Sequence, residues 1–191
     1  MYTDIGTVKS YLGNVPPTVD DALLTDFIAA AQSIIDSYCH QSFEAGVDST
    51  RYFDPTCDVD GRTLYVDAPL CAITSVTNGD GVVIAPSAYI TEPRNMAPWF
   101  GLTLRSNSDV SWTYGGALDN SIAIEGKWAY SASAPADIQQ AATRLAAYLY
   151  RQRDNGFDLD RMIQTQNGVV VPFGLPTDIG ELLAGYKRIV V

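Results

Sequence analysis

The 191-residue chain is short of the residues from which reactive centres are built. It carries one histidine, His40, and three cysteines, Cys39, Cys57 and Cys71, with no CxxC pair among them. A single imidazole without a second ligand of its kind is a poor start for a metal centre. An odd number of widely spaced cysteines reads as free thiols in a reducing compartment, not as a disulfide framework. Positive charge is scarce too: 12 Lys+Arg stand against 22 Asp+Glu, for a net charge of −10. That balance argues against any broad surface that neutralises phosphates. No apolar run approaches the ~20 residues of a membrane span. The opening MYTDIGTVKSYL lacks the basic-then-apolar order of a secretory signal. GxSxG, HExxH, P-loop and GxGxxG motifs are all missing.

The few constellations that suggest chemistry are incomplete. Asp58 and Asp60 alternate before Gly61, and Asp67 follows six residues later, as in part of a calcium loop. However, Thr56 occupies the first ligand position, Asp replaces the terminal bidentate Glu, and no helices flank the segment. With Asp54 nearby, the stretch reads as a polar turn. Cys39 and His40 adjoin at a helix end, where neighbouring side chains diverge and do not form a nucleophile pair. Glu92, Glu125 and Asp137 are isolated carboxylates. The expectation is a protein with no catalytic, cofactor-binding or metal-binding residues.

What is present is a foldable chain, 47% apolar and only 18% charged, long enough for one domain or one domain with a large insert. Leu24, Phe27, Ile28, Ala31, Ile34, Ile35 and Tyr38 recur at three- and four-residue steps, predicting a helix over 20–39. Thr18 and Asp21 resemble a capping box, and Asp20 and Asp21 suit the positive end of the helix dipole. A shorter helix over about 4–12 precedes it, stopped by Gly13 and separated by Pro16-Pro17. A second long helix is predicted from Pro135 to Arg153, with Ile138, Ala141, Ala142, Leu145, Tyr148, Leu149 and Gln152 inward and Asn155-Gly156 as its stop. Its alanines allow another helix to approach closely.

Between these helices, residues 50–130 hold short segments at 63–66, 73–77, 82–84, 88–91, 102–104 and 121–128. A hairpin turn, Asn78-Gly79-Asp80-Gly81, and scattered prolines punctuate them. The predicted class is therefore α+β: a small helical bundle of two long helices plus short ones, with an inserted antiparallel β region and an extended C-terminal arm. The expected organisation is a helical core from 1–49 and 131–155, the β insert over 50–130, and an arm over 156–191. The arm contains a β-like run at 169–171 and a short helix from Thr177 or Asp178 to Tyr186. Acidity is concentrated early: residues 1–50 hold seven acids and one Lys, whereas 131–191 hold six of each. Aromatics crowd the β region, where core packing and a protein-binding surface are both open readings.

The order of these features resembles the head–tail connector, or adaptor, proteins of tailed bacteriophages. The segments that carry the likeness are DDALLTDFIAAAQSIIDSYCHQSF, the Arg51-Tyr52-Phe53 strand, LYVDAPLCAITSVTNGDGVVI, the strand at Tyr89, IAIEGKWAYS and PADIQQAATRLAAYLYRQRD. They span most of residues 3–153, and LPTDIGELLAGYKR is similar to the family's C-terminal segment. The resemblance implies a non-enzymatic virion protein of the neck, made in the host cytoplasm. It implies self-association into a ring of twelve, joining the portal protein to a head-completion (stopper) or tail protein. DNA would pass through the channel without sequence-specific binding, and an acidic lumen suits that passage by repulsion. On this reading the C-terminal arm docks on the portal or a neighbouring subunit. Leu182, Leu183 and Tyr186 would enter an apolar groove, with Lys187 and Arg188 at its rim. The alternatives are a stopper or tail-terminator type of neck protein and, from a different class, a small ligand-binding module or enzyme around Asp54–Asp60.

Overall fold

The computed structural model describes residues 1–13, 20–116, 118–154, 163–164, 170–171 and 175–188. The chain divides into two compact units, one of residues 1–40 with 134–191 and one of residues 41–133.

The first unit is helical. Helix α1 (Ile5–Leu12) starts where Asp4 caps it: the Thr7 N–H donates to Asp4 Oδ1 at 3.0 Å and the Thr7 hydroxyl to Oδ2 at 2.6 Å. These bonds to the charged form hold the Asp4 carboxyl below its ordinary pKa. Gly13 ends the helix at φ 86°, a left-handed conformation natural to glycine, with its N–H on the Lys9 carbonyl. Helix α2 (Asp21–Cys39) buries Leu24, Ile28, Ala31, Ile35 and Cys39. Ile34, expected on the inner face, is exposed. The proposed capping residue Thr18 and Pro16-Pro17 lie outside the described residues. Asp20 stands at the N-cap without a side-chain cap bond; its carboxylate accepts the Tyr150 hydroxyl at 2.9 Å instead.

Helix α3 (Ala136–Asp154) is the centre of this unit, touching α1, α2 and the C-terminal helix α4 (Thr177–Ala184). Packing on three sides explains why it buries more than one stripe: Ile138, Ala141, Ala142, Leu145, Ala146 and Ala147 are all buried. Alanine keeps the neighbouring helix axes close, and the Thr143 hydroxyl meets the Thr3 hydroxyl at 2.7 Å in the interior. The predicted stop at Asn155-Gly156 lies outside the described residues.

The second unit is antiparallel β. Its strands are β1 (Ser49–Phe53), β2 (Val59–Asp60), β3 (Thr63–Thr77), β4 (Tyr89–Glu92), β5 (Trp99–Leu104) and β6 (Ile122–Trp128), in the order β1-β6-β3-β5-β4 with β2 paired to β3. Two segments predicted separately, 63–66 and 73–77, are one 15-residue strand. Its first half pairs with β5 and its second with β6, the register shifting between Tyr65 and Leu70. Pro69 falls within that shift, where a residue without an N–H costs the ladder least. The segment 82–84 is not a strand; only Val83 bridges Thr77. Gly126 faces β3 so closely that a Cβ there would lie 2.2 Å from the Ala72 carbonyl oxygen, so only glycine fits. Phe53, Leu64, Leu70, Leu102, Leu104, Ile122 and Ile124 form the core. Outside this sheet, in the stretch assigned to the first unit, two short strands, β7 (Ile163–Gln164) and β8 (Val170–Val171), pair with each other, and β8 overlaps the β-like run expected at 169–171. Residues 156–162 of the predicted arm, and most of 165–174, lie outside the described residues.

Candidate interface on the helical unit

The C-terminal segment was the expected docking element, and its own geometry is specific. Helix α4 turns Ile179 and Leu183 inward, both fully buried. Arg144 on α3 forms an ion pair with Asp178 at the start of α4. Beyond the helix, the Tyr186 hydroxyl donates to Asp137 Oδ2 at 3.1 Å, and the Lys187 ammonium sits 4.9 Å from the centre of the Tyr38 ring. The Arg188 N–H donates to the Cys39 carbonyl at 2.9 Å. Four of the five residues predicted for an external groove therefore make contacts within the helical unit. The stripe of Leu183 is consumed by the chain's own core, because α3 and α2 offer the apolar surface that an eight-residue amphipathic helix needs. Leu182 is half-buried, and Lys187 and Tyr186 retain accessible surface.

The same packing sets the chemistry of Cys39. Its thiol is buried, directed at the Leu183 carbonyl at 3.9 Å. Burial, reinforced by the nearby Asp36 and opposed by Lys187, pushes its pKa up to about 11. That is the reverse of an activated nucleophile, which needs a depressed pKa. Burial also raises Asp36, against a hydrogen bond from the Tyr2 hydroxyl. His40 lies exposed beyond the helix end at φ 56°, its N–H on the Asp36 carbonyl.

Beside α4 the surface opens into a cleft of about 140 Å³, lined by Tyr11, Arg144, Tyr148, Arg151, Pro176, Asp178 and Ile179. Arg144, Tyr148 and Arg151 come from successive turns of α3, at steps of four and three, so one helix face presents all three. The Arg151 guanidinium lies 5.8 Å from the centre of the Tyr11 ring. Burial raises the Tyr148 hydroxyl, which keeps its proton as a donor. The Arg-Tyr-Arg spacing is visible within the predicted helix, but nothing in that helix alone marks a cleft.

In the β unit the acidic turn closes on itself. Asp58 Oδ2 accepts the Asp54 N–H at 2.7 Å, Asp54 Oδ1 accepts the Asn120 N–H, and Asp67 pairs with Arg51 at 2.8 Å. Among the described residues no three His, Cys, Asp or Glu side chains converge to hold a metal ion. The aromatics separate into two populations. Trp99, Trp112 and Trp128 pack on the β core, whereas Tyr52, Tyr65, Phe100 and Tyr114 are exposed.

The fold has counterparts among solved structures. One chain, from the neck of an empty gene transfer agent (GTA) particle computed with C6 symmetry, superposes with a TM-score of 0.54 at 15% identity, covering 97% of this chain and 89% of that one. The two chains share a fold. A second, from the virion of a native GTA particle, gives a TM-score of 0.49 at 19% identity over 97% of this chain and 89% of the other. No family model matches the sequence, and no curated protein matches it. The matched residues include both units.

Proposed function

We propose that this chain is a structural subunit of the neck of a phage-like particle, an adaptor that joins the portal to the next neck or tail component. The observation that carries the reading is the fold held in common with the GTA neck chain across 97% of the sequence. The order of helices and strands that resembles head–tail connectors supports it independently.

A ring of such subunits is the working form. Copies meeting head to tail through unlike surfaces close into a ring when the rotation allows. A ring of twelve contains six-fold symmetry, so the C6 symmetry of the neighbour's neck accommodates it. The exposed tyrosines and Phe100 supply aromatic contact surface of the kind protein interfaces favour. A net charge of −10 suits a channel through which DNA slides without being gripped. Its place would be the virion neck, with the portal on one side and a stopper or tail protein on the other. The short C-terminal segment would contribute through Leu182 and the accessible parts of Tyr186, Lys187 and Arg188, with Leu183 serving the fold.

The test is attachment. Purified chain mixed with DNA-filled heads that carry a portal but no neck should cosediment with them, and heads lacking the portal should not retain it. Retention independent of the portal would contradict the reading.

A further inference from the structure

The cleft beside α4 is a concentration of positive charge on a chain with ten more acids than bases. Arg144 and Arg151 come from one face of α3, and Tyr148, from the turn between them, lines the cleft with them. Among the described residues that line the cleft, two arginines stand against one carboxylate, Asp178, which is paired with Arg144. Its volume of about 140 Å³ suits a single carboxylate side chain rather than a helix or an extended peptide. Planar guanidinium groups recognise carboxylates through paired N–H donors, which makes this an acid-recognition site by chemistry as well as charge.

A complementary element stands elsewhere on the same unit. Asp26 is exposed on the outer face of α2, and the exposed residues within one turn of it are small: Ala22, Thr25, Ala29 and Ala30, with Leu23 half-buried beside them. With no fully exposed long side chain within a turn, its carboxylate can enter a recess while the helix backbone comes close. We propose that the Arg144–Arg151 cleft of one copy receives Asp26 of an adjacent copy, forming a head-to-tail contact. The contact rests on the ring reading above and names its joint. Unlike patches meeting in this way leave a free cleft on one side and a free Asp26 on the other, so assembly continues until the ring closes. Both partners lie within the helical unit. Duplex phosphate is the competing anion, and the acidity of the chain as a whole disfavours it.

Zero-length crosslinking tests the joint. In the Arg151→Lys variant the charge is kept and an amine is introduced that a carbodiimide can couple to a carboxylate at ion-pair distance. A mixture of unlabelled and ¹⁵N-labelled protein should give peptides joining residue 151 of one copy to Asp26 of the other. Adding Asp26→Asn should abolish that product, because a carboxamide is not activated by a carbodiimide. Links only within one copy, to Asp178 for instance, would overturn the proposal, as would inter-copy links that avoid residue 151 or persist in the Asp26→Asn background. Retention of duplex DNA by the parent protein that is lost in Arg144→Gln/Arg151→Gln would reassign the cleft to phosphate and overturn it as well. The neck reading fails on a different result, the absence of portal-dependent attachment to heads, so the two failures are distinguishable.

Discussion

The N–H of Arg188 donates to the carbonyl of Cys39 at 2.9 Å, tying the last described residue of the chain to the end of α2. With Leu183 buried below and Asp178 paired to Arg144, this bond makes the C-terminal helix a working part of the helical core. A segment that reads as an extended arm in sequence packs, over residues 175–188, on the helical unit.

Leu183→Ala should therefore lower stability even in the isolated protein. Removing a fully buried leucine side chain costs ~2–5 kcal/mol through lost transfer energy and the cavity left behind. Urea denaturation followed by far-ultraviolet dichroism measures it. A loss under about 1 kcal/mol would mean that α4 packs too loosely to matter.

The long helices predict a similar response. Ile35 on α2 is fully buried and Leu145 on α3 nearly so. Ile35→Ala and Leu145→Ala should each cost ~2–5 kcal/mol, and the double variant should depart from additivity if the two share a contact surface. Values below about 1 kcal/mol at both positions would contradict the helix packing described.

Cys39 predicts a dependence on pH. Its thiol is raised from the ordinary 9.0 to about 11 in the folded chain, chiefly by burial. The folded state thus holds this proton more tightly than the unfolded state. The associated stability is fully present below pH 9 and is lost as pH rises through 11. Between those values the parent should lose ~2 kcal/mol more than Cys39→Ala. Parallel pH profiles for the two proteins would show that the thiol is not desolvated.

Arg62 predicts an effect in the β unit. Its side chain donates to the carbonyls of Leu104 at 3.0 Å, Ser108 at 3.1 Å and Val110 at 3.2 Å, and to that of Arg105, while its own carbonyl accepts the Trp112 indole N–H at 2.9 Å. One guanidinium thereby organises the whole 104–110 segment. Arg62→Ala should cost ~2–4 kcal/mol by leaving these acceptors without a donor. Arg62→Lys should restore only part, because an ammonium cannot reproduce the fork. Equal stability of Lys and Arg at this position would contradict that role.

The elements legible in the sequence are those with a strong local period. Leu24, Ile28, Ala31 and Ile35 announced α2, and the short segment at 121–128 announced β6. The unity of β3 was hidden because Asp67 and Pro69 look like a break, whereas the ladder absorbs them by changing partner and register. The exposure of Ile34 was equally hidden: a helical stripe has an edge, and only the neighbouring helix decides which side of the edge is covered. The destination of Leu183 was illegible for a related reason. An eight-residue amphipathic helix presents the same pattern whether its groove belongs to its own chain or to another. The Arg144–Tyr148–Arg151 face was written in the helix period, but its meaning depends on α4 and Tyr11 closing around it, and those neighbours are distant in sequence.

Where this protein sits in a particle decides whether it is a neck subunit. A cryo-electron microscopy reconstruction of the portal region of heads bearing the chain, computed without imposed symmetry, measures that directly. The account predicts a ring of copies of this α+β fold between the portal and the next neck or tail component, with the DNA path at its centre. Density for the chain elsewhere in the particle, or none at the portal, would contradict it.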